Sequence, residues 1–240
     1  MRGLGLLHTA VTLAVFASLG LAQQRTVAIT VDDLPSVLPA ANAADGASAV
    51  ERVNLDLLAA FQAHRVPVTG FVIQKRIESL GPTSGARILS EWISRGFDLG
   101  NHTYSHPDIN QLSVDQIEDE IVRGEAAVRP LMKAAGKELA FFRFPMNETG
   151  DTKVKHDEIA AFLMKRGYSV ATCTIDTSDY LFNDAYVRLL ANDDDKSAQK
   201  ARLAYLAYTS TEIDYYANLN KQVFGYETPQ VMLLHERRCH

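Results

Sequence analysis

Val27-Ala28-Ile29-Thr30-Val31-Asp32-Asp33 is a β-branched, largely apolar run closed by two adjacent acids. A run that is apolar on both faces reads as a strand buried inside a parallel sheet, because a half-exposed strand would alternate apolar and polar residues. Five further runs read the same way: Val66–Ile73, Phe97–Asn101, Leu139–Phe144, Tyr168–Ile175 and Gln230–His235. Between them lie helical patterns. Val50, Val53, Leu57 and Phe61 share one helical face, as do Ile117, Ile121, Val128 and Leu131, with Ser113 and Gln116 spaced for a capping box. Ile159, Phe162 and Leu163 mark another helix ending near Gly167, and residues 183–222 read as one or two helices broken at Asp193-Asp194-Asp195, an acidic run that fits a solvated turn. Strands alternating with helices imply an α/β fold whose parallel sheet is covered on both faces. In a (β/α) barrel the chemistry gathers at the C-terminal ends of the strands. Polar residues gather at those ends here: Asp32-Asp33, His102 to His106, Arg143, Asp176 to Asp179, and His235.

The rest of the composition narrows the class. The chain has 240 residues, is 47% hydrophobic and 22% charged, and carries a formal net charge of −5. That is an ordinary globular composition for one domain, without the basic footprint of a nucleic-acid binder. Residues 1–22 begin with Arg2, continue as an apolar stretch from Leu4 to Leu21, and end in Gly20-Leu21-Ala22. This is the layout of a cleaved secretory signal, leaving a mature domain over 23–240, secreted or periplasmic, with no stable membrane span after cleavage. The alternative, a transmembrane anchor, asks for a longer apolar stretch. Two cysteines, Cys173 and Cys239, are compatible with export, since a domain of this size does not depend on disulfides. Cys173, inside an apolar run, is expected to be a buried thiol.

Several of the strand-end residues have metal-site or acid–base chemistry. In Gly100-Asn101-His102-Thr103-Tyr104-Ser105-His106-Pro107 two histidines stand four apart, a spacing that lets both share one face of a helical turn and chelate an ion. No Glu follows the first, which separates the pattern from the zincin arrangement. The same spacing also suits a pair of surface or capping histidines. Asp32-Asp33 repel each other unless a cation is near, and an Asx-turn helped by Pro35 is the other account of them. Two imidazoles and one carboxylate together make a three-ligand site with open positions, as a catalytic centre needs. Taken singly, Arg143 is also compatible with an ordinary strand-end ion pair, Asp176 with a turn, and His235 with a capped core histidine.

Five motifs occurring in order resemble the polysaccharide deacetylase (NodB-homology) family, carbohydrate esterase family four. They are Thr30-Val31-Asp32-Asp33, His102-Thr103-Tyr104-Ser105-His106, Phe142-Arg143-Phe144-Pro145, Asp176-Thr177-Ser178-Asp179-Tyr180 and Leu233-Leu234-His235. The resemblance implies a distorted (β/α) barrel of the NodB-homology type. It implies that Asp33, His102 and His106 bind a divalent ion, most often Zn2+, with Co2+ as another candidate. It implies Asp32 as general base toward the hydrolytic water, held by Arg143, and His235 as general acid, oriented and charged by Asp179. It further implies that the Met146 backbone N–H helps to hold the oxyanion and that Leu233 and Tyr180 wall the substrate pocket. The expected activity is removal of N-acetyl groups from an amino-sugar polymer such as peptidoglycan or a chitin-like chain.

The sequence departs from the family in places. Leu34-Pro35 follows the two acids where Gly is frequent, Tyr180 stands where Trp is common, and a long segment separates Asp179 from His235. Only Glu236-Arg237-Arg238-Cys239-His240 follow the last histidine. The family continues with a helix and a strand, so the domain is expected to be truncated, open beside its first strand, with exposed apolar surface and poor solubility. Other readings are an O-acetyl esterase on a xylan-type polysaccharide, a non-catalytic carbohydrate-binding relic, and a non-haem iron oxygenase. The last uses the same donor set, but leaves Asp32, Arg143 and His235 without a task.

Overall fold

The computed structural model describes residues 25–36 and 43–236; the stretch expected to be a signal peptide, Cys239 and whatever follows Glu236 lie outside the described residues. Seven strands form one sheet: β1 (Val27–Leu34), β2 (Val68–Val72), β3 (Asp98–Asn101), β4 (Phe141–Phe142), β5 (Ser169–Val170), β6 (Ile175–Asp176) and β7 (Gln230–His235). Their order is β5-β4-β3-β2-β1-β7-β6, and every pairing is parallel. β1 lies between β2 and β7, and its C-terminal half is buried without alternation, as a strand covered on both faces is.

The run Tyr168–Ile175, which reads as one strand in the sequence, is divided. Its first part pairs with β4 and its second with β7, at opposite edges of the sheet, with only residues 171–174 between them. Seven strands laid flat would span about 29 Å at the usual interstrand spacing of ~4.8 Å. The five steps from Val170 to Ile175 reach at most ~18 Å even when fully extended. The sheet must therefore curl strongly, and the kinked run bridges its two unpaired edges. The Ala171 N–H still donates to Phe142 O at 2.8 Å and the Thr174 N–H to Val231 O at 2.9 Å, so the chain crosses from one edge to the other within those residues.

This topology corrects the expectation of a barrel open beside its first strand. Six consecutive residues of β1 pair with β7, and the seam lies between β5 and β6. Val31 and Leu34 are fully buried, and the large exposed apolar side chains include Leu203, Leu206, Val223 and Phe224 of the last helix and Phe141 and Val170 of the edge strands.

The helices are α1 (Ala43–His64), α2 (Gln74–Ser79), α3 (Gly81–Ser94), α4 (Val114–Arg123), α5 (Val128–Ala134), α6 (Lys153–Lys165), α7 (Asp179–Ala191) and α8 (Asp195–Phe224). α2 and α3 fill the β2–β3 crossover, where the sequence pattern marked no helix. α3 brings Trp92 into the core, where its indole donates to Asn54 Oδ1 of α1 at 2.7 Å. The Ser113/Gln116 capping box forms and starts α4, whose Ile117 and Ile121 are fully buried. The acidic break falls as expected: α7 ends at Ala191, and Asp194 caps α8 by accepting from the Ser197 N–H. Cys173, in the seam, is half-buried rather than enclosed.

Candidate active site

The ladder between β1 and β2 loses register between Val31 and Leu34. Such an irregularity re-aims side chains at a strand end. Asp32 and Asp33 sit there, both buried, and Asp33 takes a left-handed backbone with φ 69°. Across the other ladder Asp32 is the register partner of His235. Two strand ends therefore set a carboxylate and an imidazole side by side.

The two motif histidines do not lie on a helical turn. Residues 102–108 are a loop with Thr103 at φ 69° and His106 at φ 59°, and that backbone brings the two rings to 4.9 Å between centroids. Non-glycine residues rarely adopt such angles, so the loop needs holding. Thr103 N–H donates to Asn101 Oδ1 at 2.9 Å, His106 N–H to Thr103 Oγ1 at 3.0 Å, and Ser105 N–H to Glu120 Oε2 at 2.8 Å. Asn101 is anchored in turn on Ile121 O and Tyr168 Oη. A Cβ added to Gly124 would come within 2.4 Å of Asn101 Oδ1, so only glycine lets α4 approach the loop this closely.

His102 Nδ1 lies 2.8 Å from the carbonyl of Arg143. A carbonyl only accepts, so Nδ1 carries the proton and the Nε2 lone pair faces the cluster. Asp33 Oδ1 is 3.7 Å from His102 Nε2 and 3.4 Å from His106 Nε2. Asp33, His102 and His106 are the one such group of metal-capable side chains found among the described residues, with ligand atoms all within 4.8 Å of one another. Ligands about 2.1 Å from a tetrahedral zinc stand ~3.4 Å apart, so the donor set and its spacing fit a small divalent ion. Burial, foremost, pushes the His102 pKa down to about 4, and His106 is also lowered, by burial first and then by His102. Neutral imidazoles are the ligand form.

Asp32 flanks this cluster. Its Oδ1 accepts from Arg143 Nη1 at 3.2 Å and its Oδ2 is 3.7 Å from His102 Nε2. Burial raises the Asp32 pKa to about 6, outweighing the downward pull of Arg143. Arg143 is itself buried. Its Nε donates to Ala171 O at 2.9 Å, capping a carbonyl at the kinked seam, and its guanidinium lies 4.7 Å from the Phe71 ring centre. On the other flank His235 Nδ1 meets Asp179 Oδ1 at 2.7 Å while the His235 N–H donates to Asp179 Oδ2 at 2.6 Å. Burial opposes a charge on His235, but the Asp179 contact and the nearby acids outweigh it and hold its pKa above the ordinary value.

The remaining expected residues take separate places. Tyr180 is exposed, with its ring 6.1 Å from that of His235. Met146 is exposed in a tight turn at φ 54°, three residues after Arg143. Leu233 is buried in β7, in register with Thr30 of β1.

Two residues that the sequence motifs do not include belong to the same region. Arg76 of α2 donates to Asp33 O at 2.6 Å and to Asp33 Oδ2 at 3.3 Å. It stands 43 residues from its partner, and nothing local in the sequence marks the pairing. Glu236, directly after His235, accepts from the Ser36 N–H at 2.6 Å and joins the end of β7 to the loop after β1. Its position at a strand end was the available signal.

The family model for polysaccharide deacetylase matches residues 20–164, more than half of the chain. Among curated proteins, the chain is 27% identical over 124 residues to a peptidoglycan-N-acetylglucosamine deacetylase of Bacillus cereus, covering 52% of this chain and 40% of that one. It is 22% identical over 125 residues to a chitooligosaccharide deacetylase of a Bradyrhizobium species, covering 52% and 51%, and 26% identical over 136 residues to a bifunctional xylanase/deacetylase of Pseudobutyrivibrio xylanivorans, covering 57% and 19%. The matched part is thus about half of these relatives' length or less. Among solved structures, a Bacillus cereus polysaccharide deacetylase superposes with a TM-score of 0.58 at 15% identity, over 89% of this chain and 80% of that one. A CE4 family pseudoenzyme from Bacillus anthracis superposes with a TM-score of 0.57 at 15% identity, over 91% and 57%. At such identities the likeness establishes the NodB-type distorted barrel alone.

Proposed function

The chain belongs to the polysaccharide deacetylase family, and from that premise we propose that it is an exported, metal-dependent hydrolase that removes N-acetyl groups from an amino-sugar polymer. The observation that carries this is the convergence at one mouth of the barrel: Asp33, His102 and His106 within ligand distance of each other, flanked by an Arg143-held carboxylate and an Asp179-held imidazole. A divalent ion bound there supplies Lewis acidity toward the acyl oxygen and toward the attacking water. Asp32, held by Arg143, takes the proton of that water. The Arg143 guanidinium at 3.2 Å favours the ionised carboxylate that a base must be. His235, kept protonated by Asp179, delivers a proton to the departing amine. In this reading the exposed Tyr180 would wall the substrate cleft, the backbone N–H of Met146 would help to hold the oxyanion, and the buried Leu233 would wall the acetyl-methyl pocket. Two of the curated relatives are named for peptidoglycan and chitooligosaccharide substrates, which favours an N-acetylglucosamine polymer. A third, the bifunctional xylanase/deacetylase, favours as second reading an O-acetyl ester on xylan, for which the same groups serve. The likeness to a pseudoenzyme makes this chain's own residues, not its fold, the argument for turnover. Residues 1–22 act as the export signal of a 23–240 domain. No helix among the described residues is long and apolar enough to cross a membrane.

The test is acetate release from peptidoglycan, chitin oligosaccharides and acetylated xylan by protein loaded with zinc or cobalt, beside Asp32→Asn. The parent is expected to release acetate and the variant to fall by roughly 10²–10⁴-fold while still binding the ion. Loaded parent protein that releases acetate from none of the three would overturn the reading.

A further inference from the structure

Asp33 occupies a left-handed backbone that β-carbon-bearing residues disfavour, and it does so at the position from which it faces both imidazoles. Something must hold that conformation. The segment that follows β2 bonds to both ligand-bearing loops. Ile73 N–H donates to Leu34 O at 2.8 Å, just past the two acids. Gln74 N–H donates to Thr103 O at 3.3 Å and Lys75 N–H to Tyr104 O at 2.8 Å, so the first N–H groups of α2 are satisfied by the histidine loop. From the same turn Arg76 reaches back to Asp33, one arm on its carbonyl at 2.6 Å and the other on Oδ2 at 3.3 Å.

We propose that Arg76 is a positioning residue for the ion site: its guanidinium fork fixes the main chain and one carboxylate oxygen of Asp33 together, so that Asp33 offers the ion a single oxygen, Oδ1. Lysine cannot do this, because one ammonium has no rigid fork to span two acceptors. The proposal rests on the metal reading above. Groups that orient a ligand without touching the ion typically change metal affinity by ~10–100-fold when removed, and Arg76 belongs in that class. The turn that carries Arg76 is fastened to both ligand loops by the main chain of Ile73, Gln74 and Lys75, so its guanidinium starts from a fixed base.

The experiment titrates metal-free parent, Arg76→Met and Arg76→Lys with Co2+, following binding by calorimetry and by the visible absorption of the bound ion, with melting temperatures taken without and with Co2+. The parent is expected to bind one Co2+. Arg76→Met should bind ~10–100-fold more weakly with an altered spectrum, and Arg76→Lys should fall between, since it restores charge without the fork. The melting-temperature rise given by Co2+ at fixed concentration should shrink in both variants. A purely structural role would lower the melting temperature equally with and without Co2+ and leave affinity and spectrum at the parent's values, and that result overturns the proposal. Should Arg76→Met not fold, Arg76→Lys with the parent's affinity and spectrum overturns it equally. A parent that binds no Co2+ removes the ion reading and this proposal together, whereas a parent that binds Co2+ tightly but releases no acetate removes only the assigned activity.

Discussion

At the scale of single residues, the proposed base and the proposed acid differ in environment. Asp32 and His235 face each other across one ladder; burial is the largest influence on both, and it raises Asp32, whereas on His235 it is outweighed by Asp179 and the acids Asp33 and Asp32. Removing the Asp179 charge leaves burial, which disfavours imidazolium, less opposed. The His235 pKa then falls. A general acid must be protonated to act, so the alkaline limb of the kcat/KM profile should move to lower pH in Asp179→Asn, with the acidic limb in place and Co2+ affinity unchanged. A pH–rate series checks this, and an unmoved alkaline limb removes Asp179 from the role given it. This much of the site is legible in the sequence, because five polar motifs sit where apolar runs stop. Arg76 is not legible there. A guanidinium that reaches a carboxylate from another crossover leaves no local pattern, and only the closing of β1 on β2 brings them together.

At the scale of elements, strand ends are readable and the joints between them are not. The β7 run is delimited by its apolar stretch and closing histidine, whereas the Tyr168–Ile175 run gives no sign that it leaves one edge and joins the other. That break is a property of closure: a curled sheet needs a residue pair at each edge, and a single extended run can supply both. α2 and α3 leave no clear pattern because Gly81-Pro82 interrupts the periodicity where one short helix gives way to the next. Glu236 illustrates what an element joint can store. It ties the end of β7 to the loop after β1, its Oε2 accepting from Ser36 N–H while Oε1 finds no hydrogen-bond partner among the described residues. Burial raises its pKa to about 7. Between the ordinary glutamate value and about 7, the folded protein holds a proton that the unfolded chain has released. Stability must then fall as pH rises through that window. Across that window the loss is of order 3 kcal/mol at most. Glu236→Gln keeps an acceptor for Ser36 and cannot ionise. Denaturant unfolding of metal-free protein at pH 5 and pH 8 should show a smaller drop in the variant than in the parent, and equal drops would mean that Glu236 ionises freely in the folded protein.

For the molecule as a whole, the candidate metal ligands and the acid–base pair come from distant parts of one chain. Asp33, His102, His106 and Arg143 fall within residues 20–164, the span matched by the family model, while Asp179 and His235 come after it. The barrel is what unites them, because β7 lies against β1. A folded site of this kind does not exist in the unfolded chain, where Asp33 and the histidines are scattered, so an ion that binds the site stabilises the whole fold by mass action. At free metal 100 times the dissociation constant the gain is ~2.7 kcal/mol. At ~2–4 °C per kcal/mol for a domain of this size, the melting temperature should rise by about 5–11 °C. His106→Ala, which removes one of three donors, should abolish most of that rise, and His64→Ala, an exposed position at the end of α1, should leave it intact. Differential scanning of metal-free protein with and without added zinc makes the comparison. A rise of equal size in His106→Ala would mean that the ion sits elsewhere, and the three-ligand centre that the barrel assembles would lose its assigned role.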